Sequence, residues 1–171
     1  MARLFFALWP GADAAARLAE VADQLAARAG GKPVPPARIH LTLAFLGEVA
    51  APLRESLLGI EAKGARFRLT LDRVGSFRGA RVAWAGPSAP PPELLALQSW
   101  LAGQVEARGC VLEERAFAPH VTLVRKIGKA VAGAPIDPVA WEARELSLMR
   151  SEAGTGRYWT ERTWDLGERG E

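Results

Sequence analysis

One pattern, written twice, constrains this chain more than anything else in it. "ARLFFALWPG", a helical stretch and "ARIHLTL" fill the first part; "ARVAWAGP", a second helical stretch and "FAPHVTL" fill the second. The span from Arg3 to His40 nearly equals that from Arg81 to His120, so each histidine sits at the same place in a strand, helix, strand unit. Two such units packed about a pseudo-twofold axis would turn equivalent strands, and with them both histidines, toward one central cleft. With 171 residues, 49% of them hydrophobic, the chain has enough apolar material for one core. The expectation is a single domain over residues 1–171 made of two duplicated lobes with interleaved strands.

The local patterns fill in this frame. "RLFFAL" (Arg3–Leu8) reads as a strand closed by the turn "WPG". The helix after it carries Leu18, Val21, Ala22 and Leu25 on one stripe and stops at Gly30 and Gly31. "KPVPPAR" is a proline-rich link to the strand containing His40, and a helix is expected from about Pro52 to Lys63. Arg66–Phe77 alternates polar and apolar residues as a half-buried strand does, and Arg81–Gly86 pairs back on it as a hairpin. After Pro90–Pro92, a helix with Leu94, Leu97, Trp100, Leu101 and Val105 on one stripe ends at Gly109 and leads to the strand containing His120. A loop over Ile127–Val139 and two late strands, Glu142–Arg150 and Arg157–Leu166, complete the prediction.

Several function classes fall away. The single cysteine, Cys110, has no imidazole among its sequence neighbours and reads as a buried filler. No CxxC or HxxxH spacing supplies a metal site, and no glycine-rich phosphate loop or dinucleotide fingerprint is present, so no metal or cofactor is expected. The opening apolar stretch is interrupted by Pro10 and Gly11, and no run is long enough to span a bilayer. A cytoplasmic protein without a membrane partner is predicted. A net charge of +3 mildly favours a polyanionic partner.

The chemistry lies in the two strands. Side chains alternate along a strand, so His40 and Thr42 project from one face and Leu41 and Leu43 from the other; His120 and Thr122 stand likewise against Val121 and Leu123. Each strand offers a proton-transfer group and a hydroxyl about 7 Å apart. These are the only two histidines in the chain. By accident, both would sit before an apolar, Thr, apolar triplet on the order of once in ten thousand chains. A pair of imidazoles suits in-line displacement at phosphorus, which needs a proton taken from the attacking oxygen and one given to the leaving oxygen. The threonine hydroxyls, helped by a cation, would hold the non-bridging oxygens.

"HLTL" and "HVTL" are two H-x-T-x motifs, and the chain resembles the 2H phosphoesterase superfamily. Within it, "RLFFAL", "HLTLAFLGE" and "PHVTLVR" resemble the LigT-like branch of RNA 2′,3′-cyclic phosphodiesterases, also called 2′-5′ RNA ligases. The resemblance implies a bilobed α+β fold of two pseudo-symmetric lobes, each with an antiparallel sheet and helices on its outer face. It implies metal-independent opening of a 2′,3′-cyclic phosphate at an RNA end, with tRNA fragments as possible substrates, to leave a 2′-phosphate. His40 matches the proton donor, His120 the proton acceptor that activates water, and Thr42, Thr122 and Arg125 the phosphate-binding residues. Strict alternation sets Arg125 on the face opposite His120, so reaching phosphate requires a bulge or the strand's end. Phe45, Tyr158 and Trp159 are candidates for stacking on the base, and Lys126 and Lys129 for a solvated basic loop. Two other readings stand beside hydrolysis: a ligase joining the cyclic-phosphate end to a 5′-hydroxyl, and a non-catalytic RNA-binding module. Each lobe can bury its core against the other, so a monomer is expected.

Overall fold

The computed structural model describes residues 1–168 of the chain, so the last three residues of the expected 1–171 domain lie outside it. The fold is α+β: three α-helices and one large, mainly antiparallel sheet. The strands are β1 (Ala2–Leu8), β2 (Lys32–Pro33), β3 (Leu41–Val49), β4 (Phe67–Phe77), β5 (Val82–Gly86), β6 (Val121–Arg125), β7 (Ala134–Ala143), β8 (Glu145–Ser151) and β9 (Tyr158–Asp165). The helices are α1 (Ala12–Ala29), α2 (Ala51–Leu58) and α3 (Pro92–Ala107). The strand order is β7-β4-β5-β6-β3-β1-β8-β9, with β2 added beside β6. Strands β6 and β3 meet at the middle through one register pair, Leu41↔Val121.

Hydrophobic burial divides the sheet into two unlike faces. Leu4, Phe6 and Leu8 of β1, Leu41 and Leu43 of β3, and Val121 and Leu123 of β6 join the main core. Against that face lie Leu18, Ala22 and Leu25 of α1 and Leu94, Leu97, Leu101 and Val105 of α3. The helices cross over: α1, which follows β1, packs on β6 and β7, whereas α3, which follows β5, packs on β3. On the opposite face of β1, Phe5 and Ala7 form a small separate cluster with Met149, flanked by Trp9 and Tyr158. That face carries the histidines.

Boundaries differ from expectation at four places, each for a local reason. Both histidines stand one residue before their strands, because the ladder starts at Leu41 and Val121. Helix α2 stops at Leu58, not Lys63, since Gly59 receives its final turn. The loop expected over Ile127–Val139 is shorter, because β7 begins at Ala134 and pairs along β4 despite Pro135 and Pro138. The expected strand Glu142–Arg150 is split at Arg144 between β7 and β8. Val21 and Trp100, placed on the helical stripes, are only half-buried.

Leu41 is fully buried at the only register pair joining β3 to β6. Leu41→Ala is expected to cost about 3 kcal/mol of stability, within the 2–5 typical of buried leucine truncation, read from urea unfolding midpoints. A loss below about 1 kcal/mol would mean the junction contributes little.

Candidate active site

The two imidazoles are held in the same way. His40 Nδ1 lies 2.8 Å from the carbonyl oxygen of Arg38, and His120 Nδ1 lies 2.7 Å from that of Ala118. A carbonyl can only accept, so in each ring Nδ1 carries the hydrogen and Nε2 is left for chemistry. The anchor is two residues back in both cases, within "ARIH" and "FAPH", so each chain segment orients its own histidine before entering the strand. The one register pair between the strands, Leu41↔Val121, is flanked by His40 and Thr42 on one strand and by His120 and Thr122 on the other. All four side chains are partly accessible.

Their surroundings are not equal. Around His40 stand Phe5, Trp9 and Tyr158, with ring centroids at 5.0, 4.9 and 5.5 Å. Burial among these rings is the main reason its pKa falls from 6.5 to about 4; the charges of Arg125 and His120 push the same way, against the Arg38 carbonyl, which raises it. His40 is thus a neutral imidazole near pH 7 in the free protein. His120 instead meets Phe77 edge to face at 5.0 Å, and Phe77 is partly solvent-exposed, tilted against Trp84. Trp84 sits close because Gly75 faces it: a Cβ there would lie 2.6 Å from the indole.

Matched bulges aim the residues beyond the threonines. Between β1 and β3 the register passes from Phe6↔Ala44 to Ala7↔Thr42, and between β5 and β6 from Ala83↔Val124 to Trp84↔Thr122. Leu43 and Leu123 are the extra residues, and each is followed by another buried one. The bulge in β6 returns Arg125 to the face of Thr122, where its charge is felt at His40. In β3 the corresponding place is taken by Phe45, which is exposed, paired in register with Phe5 and covered on one side by the Arg3 guanidinium.

The other sequence candidates divide. Tyr158 is at the site, but as part of the wall around His40. Trp159 pairs with Arg150, whose guanidinium lies 4.7 Å from its ring centroid, away from the histidines. Lys126 lines the cleft beside Arg125; Lys129 is exposed and its amide caps α1 through the Ala29 carbonyl. Cys110 is buried after α3, and burial raises its thiol pKa. No group of three or more His, Cys, Asp or Glu is gathered for a metal among the described residues. Sequence reasoning missed Phe5, Trp9, Phe77, Lys32 and Arg38. The alternation Phe5, Ala7, Trp9 could have placed two of them beside His40 once β1 was known to pair with β3; Lys32, on a two-residue strand, leaves no pattern to read.

Known proteins resemble this chain in sequence and in fold. A family model described as LigT like Phosphoesterase matches residues 8–84. An RNA 2′,3′-cyclic phosphodiesterase of Escherichia coli is 39% identical over 131 residues, 74% of each chain. One from Thermus thermophilus is 31% identical over 165 residues, 88% of this chain and 82% of its own. The crystal structure of E. coli LigT complexed with 3′-AMP superimposes with a TM-score of 0.88 at 34% identity, covering 96% of this chain and 98% of that one.

A lowered histidine pKa is also a stability term. Between pH 6.5 and about 4 the unfolded chain takes up a proton at His40 that the folded protein resists, so stability falls as pH drops through that window. The loss from this group reaches up to about 3 kcal/mol. Urea unfolding in phosphate-free buffer at pH 7 and pH 4.5 should show His40→Gln losing less on acidification than the native protein, by about 2 kcal/mol. Equal losses would contradict the assigned burial.

Proposed function

Since the chain belongs to the LigT-like phosphoesterase family, we propose that it opens the 2′,3′-cyclic phosphate at an RNA end to a 2′-phosphate, without a metal, using His40 and His120 as acid and base. The observation that carries this reading is the pair of imidazoles on neighbouring antiparallel strands, each fixed through Nδ1 and each left with a free Nε2.

Water attacks phosphorus while His120 Nε2 accepts its proton; the bond from phosphorus to O3′ breaks, and His40 Nε2 delivers a proton to that oxygen. Thr42 and Thr122 donate to the non-bridging oxygens, and Arg125 supplies the cation that holds charge there through the transition state. A donor must be protonated, whereas free His40 is neutral near pH 7. The anionic cyclic phosphate supplies the compensating charge, raising the pKa of His40 when it binds. The depressed pKa also favours a second reading, in which the roles are exchanged and His40 is the base. Attack by an RNA 5′-hydroxyl in place of water would give ligation at the same site; water, at about 55 M and with no third body to hold, makes hydrolysis the main outcome.

The expected result in EDTA is ring opening of an oligonucleotide 2′,3′-cyclic phosphate by the native protein, with His40→Ala and His120→Ala each slower by about 10²–10⁴-fold. A native protein that leaves the ring closed, or a variant near full rate, would contradict the two-histidine reading. A substrate with sulfur in place of O3′ separates the roles, because a thiolate leaves without a proton: it should restore His40→Ala far more than His120→Ala. Rescue of His120→Ala instead would select the exchanged assignment.

A further inference from the structure

The backbone beside His40 is shaped to gather positive charge. Gly31 has φ +93, and a Cβ on it would lie 2.4 Å from the Arg125 carbonyl oxygen. That close approach lets β2 lie along the end of β6, where Lys32 pairs directly with Arg125 and the Val34 amide donates to the Leu123 carbonyl at 2.7 Å. Like charges directly opposite on antiparallel strands are unfavourable. The next residue, Lys126, holds φ 58, a left-handed conformation uncommon for a long side chain. Arg38, whose carbonyl holds His40, sends its guanidinium to the Gly156 carbonyl at 2.9 Å.

Lys32, Arg38, Arg125 and Lys126 thus line one cleft, with Tyr158 joining it to the wall around His40. The cleft is lined by no carboxylate, and none of these cations is in an ion pair among the described residues. A cyclic phosphate carries one negative charge, which Arg125 and the threonines suffice to meet. Three more cations on the same side exceed that need.

We propose that this cleft is a second-phosphate site, which takes the phosphate on the 5′ side of the terminal nucleotide while the cyclic phosphate lies between the histidines. The inference rests on the RNA-end reading above and adds a substrate preference: nucleotides with a 5′ phosphate bind better than those without. Arg125 stands at the seam between the two phosphates, and Lys32 and Lys126 reach only the outer one. A bound anion offsets the repulsion between the paired like charges.

Binding without turnover tests the site apart from the reaction. By calorimetry at low salt, the native protein should bind adenosine 3′,5′-bisphosphate about tenfold more tightly than adenosine 3′-monophosphate. A Lys32→Gln, Lys126→Gln double variant, checked by its unfolding midpoint, should reduce that preference to about twofold. Its bisphosphate affinity should also depend less steeply on salt, because fewer charges are left to be screened. Equal affinity for the two nucleotides, no measurable bisphosphate binding, or a preference retained in the double variant would each overturn the proposal. A site that binds as expected in a protein that does not open the ring would instead refute the catalytic reading alone.

Discussion

The pairing of Leu41 with Val121 fixes the register between β3 and β6. Leu41 and Val121, both fully buried, are the only residues through which β3 and β6 are laddered. Everything chemical follows from that register. A slip of one residue would turn one strand's polar set into the core and its leucines or valine into the cleft. The apolar members of "HLTL" and "HVTL" are therefore as much a part of the site as the polar ones: they pin the strands, and alternation then sets His40, Thr42, His120 and Thr122 together on the other face.

The halves share geometry but not environment. Both imidazoles rest on a carbonyl two residues back, and both strands bulge after their threonine. Yet His40 is walled by three aromatic rings, while His120 meets a partly exposed phenylalanine. Past the bulge one strand presents Arg125 and the other Phe45. Unequal surroundings are what would separate an acid from a base within one site. Cations line the cleft beside the aromatic wall of His40, while Phe77 and Trp84 stand on the His120 side.

Much of this was legible in the residues. The motif pair, the apolar stripes of α1 and α3, and the pairing of β4 with β5 follow from periodicities that burial enforces directly. What escaped depends on tertiary placement. Strand β7 begins in a Gly, Ala and Pro-rich stretch with no alternation to mark it, and forms because β4 offers an open edge. For Arg125 the need for a bulge was legible but not its place at Leu123, a residue whose type gives no sign of it. Trp9 and Phe5 looked like turn and core, and the depressed pKa of His40 is the sum of neighbours from three separate segments. Lys32 lies in what reads as a proline-rich link, and its role depends on a glycine that lets two backbones nearly touch.

In the proposed mechanism both imidazoles face one phosphorus. NMR of the two histidine side chains during titration with adenosine 3′-monophosphate reports on this, because His40 and His120 are the only imidazoles in the chain. One equivalent of nucleotide should shift both rings along the same binding curve and raise the pKa of His40 from its free value of about 4. Response of one ring alone, or of the two with different dissociation constants, would mean that the histidines do not share a phosphate.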